Sequence, residues 1–165
     1  MGGTSETVIA MLWRLWRKRK VVHLARALEP VADAPRPRAG VSTVLVAEDH
    51  PIIREGVRRA LGSQPDLQLC AEASDGEEAL RAIERHRPDV AVLEIGMPKL
   101  GGLEILRLVR ERYPATRTLL IAVRSDPTLV DQAVRLGADG YLPLEETPKE
   151  IVEAIREIAK GGIYW

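Results

Sequence analysis

Three carboxylates stand where short apolar runs give out: Glu48 and Asp49 after "TVLVA", and Glu94 closing "DVAVLE". Carboxylate oxygens are the ligands hard divalent cations take, and Mg²⁺ is commonly held by one or two of them together with phosphate. Without a compensating cation, three acids drawn together repel one another, and at least one carboxyl is held above its ordinary range. The pattern therefore offers a cation site or an acidic pocket, provided the fold brings positions 48, 49 and 94 to one place. His50 follows the acid pair in "DHP" and reads as a loop residue rather than a ligand. Gly101 and Gly102 precede a helical pattern, but no G-x-G-x-x-G or Walker pattern surrounds them. No Ser/His/Asp arrangement carries a motif, and the chain reads as a non-enzyme.

What must position the acids is a repeated rhythm that begins at Thr43. "TVLVA", "LQLCAEA", "DVAVLE", "TRTLLIAV" and "DGYLPL" are short and apolar. Between and after them lie amphipathic stretches: "HPIIREGVRRALGS", "DGEEALRAIERH", "GGLEILRLVRERY", "DPTLVDQAVRLG" and "TPKEIVEAIREIAKGG". Asp75 and Thr147 stand as N-caps, Pro127 and Pro148 at first helical positions, and Gly137 at a helix end. Five β-α repeats predict a doubly wound five-stranded parallel sheet with helices on both faces. Ligands of such sheets bind outside the strands' carboxyl ends, where the strand order reverses. Glu48, Asp49 and Glu94 all fall at that end.

The remaining chain divides in two. Residues 7–27 predict a helix with Ile9, Leu12, Trp13 and Trp16 on one face and a wrapping basic cluster, Arg17 to Lys20. This makes residues 1–27 a basic amphipathic extension that packs on the domain. The alternative is an adaptor surface for acidic lipid or nucleic acid. Residues 28–41 hold three prolines and read as a linker. Residues 1–40 carry eight Lys/Arg against three Asp/Glu, so the formal net charge of zero leaves −5 for residues 41–165 and argues against nucleic-acid binding there. A single cysteine, Cys70, excludes an intrachain disulfide. No apolar run approaches the roughly 20 residues of a membrane span, and the N-terminus lacks a signal-peptide pattern. A cytoplasmic location is expected.

"VLVAEDHPIIREGVRRAL", "PDVAVLEIGMPKLGGLEIL" and "AVRLGADGYLPLEETPKEIVEAIREIAKGGIYW" together resemble the receiver domain of bacterial two-component response regulators, most closely the NarL/FixJ-type branch. The resemblance covers residues 42–165 and implies the flavodoxin-like (βα)5 fold. It also implies an acid pair for Mg²⁺, an Asp phosphoacceptor after the third strand, a Ser or Thr after the fourth and a Lys after the fifth. The acid pair is present as Glu48 and Asp49. The acceptor position is Glu94, the hydroxyl position Ala122 and the lysine position Leu144. Ser125 comes three residues late and Lys149 lies inside the next helix, so neither is expected to substitute. Ala122 also removes the hydroxyl that would couple phosphorylation to the aromatic at Tyr141, expected as a half-buried strand residue or as a core residue.

The resemblance therefore implies a receiver degenerate at its phosphorylation site, a pseudo-receiver in signal transduction and transcription regulation. It needs no cofactor, although Mg²⁺ can be accommodated by Glu48, Asp49 and Glu94. Its expected partner is a protein or a second copy, met through the last helix or the face of the fourth helix and fifth strand. The alternative is a conventional phosphorelay receiver using Glu94. No helix-turn-helix follows within the 165 residues.

Overall fold

Five apolar runs become five strands because each satisfies its backbone by pairing with neighbours, the central three almost wholly buried. They are β1 (Ser42–Ala47), β2 (Leu67–Ala73), β3 (Val90–Glu94), β4 (Arg117–Ala122) and β5 (Gly140–Pro143). The helices are α1 (Pro51–Gly62), α2 (Gly76–His86), α3 (Gly102–Arg112), α4 (Pro127–Arg135) and α5 (Pro148–Ala159). The computed structural model describes residues 39–123, 126–144 and 147–165. The basic helix expected at 7–27, residues 28–38 of the expected linker, and Ser125 lie outside the described residues.

All strand pairs are parallel, in the order β2-β1-β3-β4-β5. The order reverses between β1 and β3, and that crevice is where the acids were expected. Strand residues alternate between the two layers. Leu45, Leu93 and Leu120 face Ile83, Ile105 and Val109 of α2 and α3. Val44, Val92 and Ile121 face Val57, Leu61, Ile155 and Ile158 of α1 and α5. With no Phe in the chain, branched aliphatic side chains fill both layers.

The helix signals act as the residue types require. Asp75 accepts a hydrogen bond from Glu78 N–H at 2.8 Å, and Asp126 one from Thr128 N–H at 2.8 Å. Each satisfies a backbone donor that the first helical turn leaves without a partner. Pro127 and Pro148 open α4 and α5, and Gly137 takes the left-handed conformation (φ 78°) just past α4. Gly76 is needed for a different reason. A Cβ there would lie 1.8 Å from the carbonyl oxygen of Leu100, so α2 can approach the β3–α3 loop only without a side chain. Across the same contact Gly76 N–H donates to Pro98 O, and Lys99 pairs with Asp75 at 2.5 Å.

Candidate functional site

The switch point assembles the pocket from the ends of β1 and β3. Glu48 directly follows β1; its N–H donates to Ala73 O at 3.1 Å, which fixes the chain as it leaves the sheet. Its carboxylate is fully buried. Oε1 accepts from the backbone N–H of His50 at 2.9 Å and meets the ring Nδ1 at 3.0 Å. Asp49 Oδ1 is also 3.0 Å from that nitrogen but has no hydrogen-bond partner, so its interaction with His50 is electrostatic only. The Arg54 guanidinium donates to Glu48 O at 2.6 Å and holds the turn against α1.

Glu94, the last residue of β3, is 4% exposed. Its carboxylate folds over the loop that follows, so that a Cβ added at Gly96 would stand 3.1 Å from Oε1, and the Gly96 backbone N–H favours its charged form. Oε2 of Glu94 and Oε2 of Glu48 are buried with no hydrogen-bond partner. Burial pushes both carboxyls above the ordinary range. For Glu94, repulsion from Glu48 and Asp49 adds to burial, while the Gly96 bond opposes it. The His50 imidazole is shifted up, first by its hydrogen bond to Glu48 and then by Asp49.

His50 therefore changes the expected electrostatics. Expected as a loop residue, it is the N-cap of α1 and turns its ring back onto two acids. Among the described residues, the group with ligand-capable atoms all within 4.8 Å of one another is Glu48, Asp49 and His50, not Glu48, Asp49 and Glu94. Glu94 still feels the charges of all three.

The other expected positions converge at the same sheet edge. Ala122 ends β4, and its carbonyl accepts the N–H of Leu144 at 2.7 Å, so the hydroxyl and lysine positions are neighbours. Leu144 packs its side chain against the α1/α5 layer. Tyr141, expected either half-buried or in the core, is 5% exposed and belongs to the α2/α3 layer. Lys149 is on the exposed first turn of α5 and pairs with Glu153 at 3.8 Å. Lys99, which sequence reading passed over, sits in the β3–α3 loop but is committed to Asp75. Burial pushes the Cys70 thiol up to about 11 and keeps it protonated.

Residues 44–156 match the model of the response regulator receiver domain family. The chain belongs to this family. Its receiver is 43% identical over 118 residues to NarL of Mycobacterium tuberculosis, named as a transcriptional regulatory protein, covering 72% of this chain and 55% of that one. It is 36% identical over 121 residues to the transcriptional regulatory protein DegU of Brevibacillus brevis, covering 73% and 51%. The solved signal receiver domain of the Mycobacterium tuberculosis NarL superposes with a TM-score of 0.71 at 42% identity, covering 73% of this chain and 98% of that domain. The chain thus spans about half the length of the curated relatives it matches. The flavodoxin-like five-stranded sheet and the place in two-component signalling follow from this membership. No helix among the described residues is long and apolar enough to cross a membrane.

The pocket carries its own pH signature. A carboxyl whose value is raised in the folded state binds more protons folded than unfolded, so stability is lost as pH rises through the folded value. Glu94→Gln keeps the shape and removes the ionisation. Wild type and variant should be similarly stable at about pH 4, and by about pH 8 the variant should be the more stable by roughly 1–3 kcal/mol, the cost of a buried acceptor left unsatisfied. Urea midpoints across that range measure it; parallel curves would mean that Glu94 is solvated.

Proposed function

We propose that this receiver acts without phosphoryl transfer, as a protein-interaction or dimerisation module of two-component signalling. The observation that carries the reading is the fate of the three altered positions. Glu94 is folded onto Gly96, Ala122 offers no donor, and Leu144 is packed in apolar surroundings. A transferring phosphoryl group needs preorganised positive charge and donors at its oxygens. Among the described residues, the imidazole that meets the pocket's carboxylates is already bonded to Glu48, and the Arg54 guanidinium is spent on the Glu48 carbonyl. The buried Tyr141 supports a switch face held in one shape rather than toggled.

The unpartnered oxygens of Glu48, Asp49 and Glu94 are a donor set that suits a divalent cation. Glu48 and Asp49 would hold Mg²⁺, with Glu94 beside them, and the ion would supply neutralisation of the pocket. His50 would have to release the two acids for this to happen. Cation binding of this kind does not require phosphorylation.

Two surfaces suit a partner. One is the groove between α1 and α5, about 340 Å³, lined by Ala60, Gln64, Val152, Glu153 and Arg156. The other is the α4–β5 face, where Val134 is 55% exposed. Intact-mass spectrometry after incubation with Mg²⁺ and acetyl phosphate tests the reading. The expected result is no phosphoryl adduct on the wild-type chain; an adduct removed by Glu94→Gln would overturn it.

A further inference from the structure

β5 should be an open edge of the sheet, yet its backbone is occupied. After α5 the chain turns at Gly161 (φ 92°) and runs back alongside β5, with Tyr164 paired in parallel to Gly140. Tyr164 N–H donates to Asp139 O at 3.0 Å, and Tyr141 N–H donates to Tyr164 O at 2.9 Å. Arg117 holds the turn from β4, donating to the carbonyls of Gly161 and Gly162 at 2.8 and 3.0 Å. Position 140 must be glycine for this closure, since a Cβ would lie 2.7 Å from Tyr164 O.

Register then decides which side chain goes where. Tyr164 is level with Gly140 and packs on the α1/α5 layer. Trp165 follows directly after this bridge. Trp165 is half covered (49% exposed), while Ile163 is left largely in solvent at 66%. The amide of Tyr141 is bonded to this segment. Tyr141 cannot move outward with its backbone unless the segment lets go.

We propose that Gly161–Trp165 is a latch on the β5 edge that holds Tyr141 in its buried position, so that the α4–β5 face is set from the C-terminal side of the receiver rather than from the carboxylate pocket. The latch itself stands on the backbone geometry; its control in place of the pocket rests on the phosphorylation-independent reading. Closed, it fixes one shape of the face offered to partners. Opened by force or competition on the chain beyond Gly162, it frees an edge strand and Tyr141 together.

Amide hydrogen exchange tests this on the full chain. Tyr164→Pro removes the N–H that binds Asp139 O and should speed exchange at Tyr141 by at least about tenfold while leaving Leu120 unchanged. In a Trp13→Phe/Trp16→Phe background, Trp165 emission should shift to the red in the same variant. Unchanged Tyr141 exchange alongside a shifted Trp165 overturns the latch. Should the variant not fold, wild-type exchange still decides: the Tyr141 and Tyr164 amides must open together, more readily than Leu120. Tyr141 protected as fully as Leu120 while Tyr164 exchanges freely overturns the proposal. A change in Tyr141 exchange on adding Mg²⁺ and acetyl phosphate to the wild type overturns control by the tail in place of the pocket, along with the phosphorylation-independent reading, while the tail's hold on Tyr141 is judged by the variant and by the joint opening of the two amides.

Discussion

Glu94→Asp, Ala122→Thr and Leu144→Lys made together should convert a chain that gains no phosphoryl group into one that is modified by acetyl phosphate and Mg²⁺, with a rate gain of at least about 10⁴-fold. The extra methylene of Glu moves the carboxylate by about 1–1.5 Å, and misplacement of that size costs about a hundredfold. Loss of one preorganised donor costs about 10²–10³. The positions are close enough to act as one unit: β3 pairs with β4 so that Glu94 is level with Ile121, and Ala122 and Leu144 share a backbone hydrogen bond. Residues that act as a unit are not additive, so each single change should stay near the wild-type rate. Leu144 can become Lys without a cavity, because the aliphatic stem can cover the surface Leu144 covers now. Intact-mass time courses give the rates. Full modification of the Glu94→Asp variant alone would show that Ala122 and Leu144 are not part of the block.

The framework of this receiver was legible because it is written in local chemistry. Apolar runs with turn residues between them marked all five strands, and β1 differs from its expected start by one residue, Ser42 instead of Thr43. Asp75, Pro127 and Thr147 marked helix starts through groups that act within one turn. What escaped were contacts set by side-chain direction or by distant pairing. The ring of His50 turns back by two residues onto Glu48, which no periodicity encodes. Lys99 finds Asp75 across 24 residues. Tyr141 was left open between a half-buried and a core position; the structure buries it, and the segment "GGIYW" lies along its edge of the sheet. Two glycines followed by Ile, Tyr and Trp do carry a strand signal, but a run that short gives no indication of where it pairs.

Asp139→Ala should lower stability by about 3–5 kcal/mol, the usual cost of removing one member of a buried charged cluster. Asp139 sits just before β5 with its carboxylate turned inward, 9% exposed as a residue. It accepts the N–H of Thr118 at 2.7 Å, a bond from the Arg110 guanidinium, and the charge of Arg117 at 3.2 Å. Alanine would leave two guanidinium groups without their counter-ion and the Thr118 N–H without an acceptor. Asn should fall between, since it can keep one hydrogen bond but not the charge. The control is Asp131→Ala, which breaks an exposed pair with Arg135 on α4 and should cost at most about 1 kcal/mol. Equal urea midpoints for the two alanine variants would mean that the Asp139 cluster is solvated rather than structural. The same substitution reaches the tail, because Arg117 is the residue that grips the Gly161 and Gly162 carbonyls. Freed of Asp139, its guanidinium is no longer held in place for that grip, and Tyr141 amide exchange should rise with the loss of stability, beyond what the lower midpoint alone accounts for.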